Sequence, residues 1–265
     1  MSTEELLVER KDGLVTVTFN RPRKKNAINA AMWRGLEDAL TEVGHDPTDR
    51  ALLLTGAGDN FSAGADLGGS SDGLGLTGRP IQATLHEMRA AGEIISKLQR
   101  LPKPTIAAVD GVAIGVALGL ALACDLIVAT DRARFTEIFV KRGLALDGGT
   151  SWSLPRQIGL RRAKQMAYLG EPVEARVALD WGLVNEVVPP EELENFSREW
   201  ANRLASGPTT ALSLIKRQLD NSGSIGFEQA IEDEARVQHV AFTTHDLKEG
   251  ILAFLERRDP RFTGA

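Results

Sequence analysis

The stretch "TIAAVDGVAIGVALGLALACDLIVAT", residues 105–130, decides how this chain folds. Its ends are apolar runs of strand length, and its middle is built mainly from glycine, alanine, valine and leucine. The pattern predicts a strand, a glycine turn, a helix of small residues and a second strand. Glycine at such a turn lets the backbone approach a ligand and leaves N–H groups free to donate. Glycines also serve simply to pack a tight turn, and this motif alone does not separate the two uses. The apolar part, Gly111 to Leu122, is too short to cross a bilayer.

Outward from it, "GLVTVTFNRP" alternates Val15, Val17 and Phe19 with Thr16 and Thr18, which predicts a half-buried strand. "NAINAAMWRGLEDALTEVGHD" sets Met32, Leu36, Leu40 and Val43 on one helical face, and "ALLLTGAG" reads as a buried strand. "FSAGADLGGSSDGLGLTGRP" is a Gly/Ser-rich loop, followed by a helix in "ATLHEMRAAGEIISKLQRL" that Pro102 and Pro104 end. "RRAKQMAYLG" and "EARVALDWG" predict helices and "LVNEVV" a strand. From Glu191 onward only helical patterns remain. The organisation is an α/β core over residues 1–195 and a helical region over 196–265.

The 265 residues, 43% hydrophobic and 25% charged, suit a soluble globular chain. A net charge of -5 argues against nucleic-acid or membrane-surface binding by the whole chain, while leaving room for a local basic patch. The single cysteine, Cys124, cannot form an internal disulfide and reads as a buried small residue in a reducing compartment. His45, His86, His239 and His245 are scattered on surface or helix positions, so no metal site is expected. "MSTEELLVERKDG" has no apolar leader core, which makes a cytoplasmic location the expectation.

"NRPRKKNAIN", "FSAGADL", "KPTIAAVDGVAIG", "LACDLIVAT", "GLVNEVV" and "RRDPRFTG", in this order, resemble the enoyl-CoA hydratase/isomerase (crotonase) family. The resemblance covers nearly the whole chain. It implies a spiral α/β core of ββα repeats, a C-terminal helical region for oligomerisation, and homotrimers or dimers of trimers. It also implies acyl-CoA thioester substrates, with no cofactor beyond the substrate's own coenzyme A. In the family two backbone amides hold the thioester oxygen as it gains charge, and the matching positions are Ala65 and Val116. Losing one such donor costs about 3–4 kcal/mol of barrier. Ala63, Asp66, Leu67 and Gly115, which flank these positions, and Phe139 and Trp152 further along the chain are the expected substrate contacts.

The acid/base residues depart from the family's hydratases. Those use two glutamates, at positions that here hold Gly119 and Phe139. Instead, "GLALDGGT" (143–150) resembles the segment of the family's isomerases in which an aspartate shuttles the substrate proton, which makes Asp147 the candidate base. A cap on the following helix is the other reading of Asp147. Glu137 shares a strand face with Phe139 and is expected to be structural, though a stand-in acid is conceivable. Asp125 is expected to be structural as well.

Coenzyme A carries phosphates, and "RPRKK" (21–25) puts four cations in five residues, with Arg23, Lys24 and Lys25 as the expected contacts. Phe254, Arg257 and Arg258 match a segment that reaches a neighbouring subunit's CoA in relatives. Double-bond isomerisation is thus the first expectation. Hydration or thioester hydrolysis with an atypical acid/base set, and non-catalytic acyl-CoA binding, are the alternatives.

Overall fold

The computed structural model describes residues 4–67 and 81–265, with nothing stated of the side chains of 81–84. The loop expected at Gly68–Gly78 to line the acyl pocket lies outside the described residues. Nine strands are present among them: β1 (Leu6–Lys11), β2 (Leu14–Phe19), β3 (Ala51–Gly56), β4 (Thr105–Val109), β5 (Val112–Ile114), β6 (Leu126–Thr130), β7 (Arg134–Thr136), β8 (Val173–Glu174) and β9 (Glu186–Val188). The large sheet runs β1-β2-β3-β4-β6-β9, parallel except for the β1–β2 hairpin. The small sheet runs β5-β7-β8.

The connection between the sheets is a spiral. Leaving β3, the chain reaches Ser62, which bridges Ala113 of β5 in parallel. Leaving β4, it forms β5; leaving β6, it forms β7, which pairs parallel with β5. Each turn therefore adds one strand to the large sheet and the next row to the small one. This is the expected α/β spiral.

Nine helices are described: α1 (Ala30–His45), α2 (Ile81–Gln99), α3 (Val116–Leu122), α4 (Thr150–Leu169), α5 (Ala175–Trp181), α6 (Leu193–Ala205), α7 (Thr209–Asn221), α8 (Phe227–Ala241) and α9 (His245–Glu256). In α1, Met32, Leu36, Leu40 and Val43 are buried together, and Asn29 caps the helix by accepting from Met32 N–H. All seven residues of α3 are buried, which is why that helix contains only Val, Ala, Leu and Gly.

β2 differs from expectation. Thr16 is buried as well as Val15, Val17 and Phe19, so the strand is covered on both faces. The second cover is α6, whose Leu193, Ala201 and Ala205 join Leu14, Leu53, Ile106 and Val128 in a separate apolar cluster. Alternation could not reveal this, because a small threonine tolerates a covered face. Residue 195, where the sequence reading ends the core, lies inside this sheet-covering helix. No described helix is long and apolar enough to cross a membrane.

Candidate functional site

Two loops and one helix start meet at the end of the small sheet. Gly64, at φ +89°, presses so closely on the next strand that a Cβ there would lie 2.6 Å from the Ile114 carbonyl oxygen. The segment 63–65 therefore runs beside Ile114–Val116. Its register is fixed by Ala63 N–H donating to Lys25 O (2.8 Å) and Asp66 N–H to Ile28 O (2.9 Å). Between these two, the Ala65 N–H has no partner among the described residues. Val116 is the first residue of α3, so its N–H has no carbonyl one turn back to bond, and it too is unpaired among the described residues. Gly115 precedes it at φ +57°, with its own N–H bonded to Thr136 O at 2.9 Å and Phe139 packed against it.

Asp147 comes to the same place through Gly148. At φ +67°, Gly148 lies so close to α3 that a Cβ on it would be 3.3 Å from Val116 Cα and 3.4 Å from Gly119 Cα. Asp147 is partly buried, and its Oδ1 accepts from Gly148 N–H at 2.7 Å. Its Oδ2 has no partner among the described residues. The side chain does not cap α4: that helix begins after Gly149 with no side-chain cap, and Thr150 bonds the Asp147 backbone carbonyl instead, through its hydroxyl at 2.9 Å. Leu146 and Trp152 stand 36% and 42% exposed, so a single chain leaves the apolar surround of Asp147 open. Behind the loop, a cavity of about 690 Å³ is bordered by Gly119, Leu122, Gly148, Trp152 and Lys216.

Glu137 is the residue that sequence reasoning underrated. It follows β7 directly and has no exposed surface, and neither carboxyl oxygen has a hydrogen-bond partner of good geometry among the described residues. Burial pushes its carboxyl up to about 8; the Thr150 hydroxyl opposes that, and the charge of Asp147 adds to it. Its place two residues before Phe139 was the available signal. Nothing local told that no cation would face it.

The remaining candidates divide. Asp66 is held by Arg21 at 2.8 Å, and Arg21 also donates to Ala27 O and pairs with Glu5, so this arginine of the basic run braces the loop. Arg23, Lys24 and Lys25 are all exposed, and Lys24 lies 3.6 Å from Asp66. Leu67 is partly buried at the edge of the described loop. Asp125 accepts from Thr105 N–H and hydroxyl and pairs with Lys216 at 3.0 Å, which ties α7 to the core. Cys124 is buried, and burial beside Asp125 pushes its thiol up to about 12. Arg258 is engaged by Glu249 and Glu256, while Phe254 and Arg257 are exposed. Among the described residues, no three His, Cys, Asp or Glu side chains group as metal ligands.

The enoyl-CoA hydratase/isomerase family model matches residues 9–265. The chain is 38% identical over 261 residues to the 1,2-epoxyphenylacetyl-CoA isomerase of Escherichia coli (strain K12), covering 98% of this chain and 99% of that one. It is 34% identical to the crotonyl-CoA hydratase of Syntrophomonas wolfei, covering 99% of each. The solved enoyl-CoA hydratase of Bacillus anthracis superposes with a TM-score of 0.92 at 30% identity, covering 98% of this chain and all of that one (100%). Matches of this extent, from an isomerase and from hydratases alike, make this protein an enzyme of the enoyl-CoA hydratase/isomerase family.

Proposed function

We propose that the protein moves a carbon–carbon double bond in an unsaturated acyl-CoA, with Asp147 as the base. The observation that carries this reading is the packing of the Asp147–Gly148 loop onto α3, beside the unpaired N–H of Val116. In this reading, the N–H groups of Ala65 and Val116 donate to the thioester oxygen as an enolate develops, which makes a neighbouring C–H acidic enough to lose its proton. Asp147 takes that proton on its unpartnered oxygen and returns it to a different carbon of the same system. No water is consumed, and one carboxylate serves both transfers.

The same packing argues against hydration by the family's glutamate pair. A Cβ at Gly119 would run into the Gly148 carbonyl oxygen and lie 3.0 Å from Gly148 Cα, so the loop that carries Asp147 fills the space such a glutamate needs. Arg23, Lys24 and Lys25 are exposed, and in our reading they meet the CoA phosphates. The helices α7–α9 expose Leu219, Phe227, Phe242, Phe254 and Leu255, and in our reading they join copies into a homotrimer or a dimer of trimers. Light scattering tests that assembly.

Incubation with 3-enoyl-CoA and 2-enoyl-CoA in deuterated buffer, read by NMR and mass spectrometry, tests the reaction. Double-bond migration with incorporated deuterium supports it. A product heavier by one water overturns it in favour of hydration. Binding of both thioesters with no change in either leaves an acyl-CoA binder.

A further inference from the structure

The buried carboxyl of Glu137 has no part in the scheme above, and its surroundings are unusual. It has no exposed surface, and among the described residues neither oxygen makes a hydrogen bond of good geometry, the Thr150 hydroxyl beside it donating to the Asp147 carbonyl instead. Among the described residues, the elements packed around it bring no cation. α4 turns Thr150, Ser153, Leu154, Ile158, Ala163 and Met166 inward, all uncharged, and keeps Arg156, Arg161, Arg162 and Lys164 at the surface. Lys141 and Arg142, in the turn after Glu137, are exposed. Arg134 of β7 is exposed and paired with Glu174 of β8, and Arg176 and Asp180 of α5 are exposed. β5 and α3 contribute only apolar residues and glycine. The one charged group that acts on Glu137 is Asp147.

A carboxylate buried without a counter-charge or donor is costly, and the group keeps its proton instead. We propose that Glu137 is a positioning residue for Asp147: a buried carboxyl that keeps its own proton behind the loop, so that no second negative charge stands beside the base. The inference rests on the reading of Asp147 as the base. During turnover the substrate proton moves from carbon to Asp147 and back to carbon, while Glu137 keeps its own, so the proton count closes. Ionising Glu137 sets a second negative charge near the enolate as it forms, and activity falls. With burial holding the group up to about 8, that loss begins in mildly alkaline solution.

The test pairs kinetics with infrared titration on wild type, Glu137→Gln and Asp147→Asn. Wild-type kcat falls several-fold above roughly pH 8, while Glu137→Gln, the neutral isostere, stays within about threefold of wild type at neutral pH and lacks that alkaline loss. Circular dichroism at each pH confirms that the fold persists. The infrared band of a protonated carboxyl, absent in Glu137→Gln, titrates near that pH in wild type and at lower pH in Asp147→Asn, where the neighbouring charge is gone. An alkaline loss that survives in Glu137→Gln overturns the proposal. So does a band that is missing at neutral pH or unmoved by Asp147→Asn. If no enoyl-CoA is isomerised, the base reading fails by itself, and the infrared arm still decides whether Glu137 holds a proton beside Asp147.

Discussion

Gly119 of α3 and Gly148 of the Asp147 loop pack backbone against backbone, leaving no room for a side chain on Gly119. Gly119 sits inside a helix, where alanine ordinarily stabilises by about 1 kcal/mol. Here the sign reverses. Gly119→Ala pushes the loop off α3, with an expected loss of about 1–3 kcal/mol from overpacking, and activity falls further than stability. Chemical denaturation beside steady-state kinetics checks both. A Gly119→Ala protein that is more stable and fully active refutes the close packing.

Asp147→Asn removes the proposed base and keeps the shape and the Gly148 contact. The expected outcome is a fall in kcat of about 10²–10⁴-fold, as for other lost general bases, with acyl-CoA affinity within a few-fold of wild type. Isothermal titration with a non-isomerisable acyl-CoA separates the two effects.

Val116→Pro deletes one N–H at a helix's first position, where proline is well tolerated. The fold is expected to survive with a modest shift in Tm, while kcat drops about 10²–10³-fold because the proposed oxyanion hole loses one donor. Equal losses in Tm and activity would instead assign Val116 to packing.

Arg23→Ala and Lys25→Ala are expected to raise KM for CoA thioesters and spare the corresponding pantetheine thioesters, which lack the nucleotide phosphates. A charged hydrogen bond of about 1.5–3 kcal/mol corresponds to a KM change of roughly tenfold or more for each contact made. A KM that rises equally with both thioesters would place these cations elsewhere.

Glu137 also shapes stability against pH. Its carboxyl moves from an ordinary 4.5 to about 8 through burial, so above pH 4.5 the folded chain holds a proton that the unfolded chain has released. The contribution is complete below about 4.5, diminishes as pH rises through the window to about 8, and is flat beyond it. Urea midpoints at the two ends of that window fall toward the alkaline end in wild type, and this component is missing in Glu137→Gln. Parallel curves for the two proteins would show that Glu137 titrates normally.

The chain's local pattern determined much of this protein. Alternation in 14–19, the helical face of 30–45 and the small-residue turn of 105–130 each express a period or a steric demand carried by neighbouring residues, and so the α/β core was legible. β1 was not, since LLVERK is an edge strand with an exposed, charged half that mimics a loop. The bend at Gly159, which lies between the helix after Asp147 and the helix in "RRAKQMAYLG" and merges them into α4, carries no local signal of its own. Only the tertiary structure set Gly148 against Gly119, spent Arg21 on Asp66, covered Thr16 with α6, and enclosed Glu137 away from any cation among the described residues. These are contacts between segments tens of residues apart. Sequence fixes which groups can carry charge or donate a proton, but desolvation and pairing depend on what the rest of the fold brings alongside.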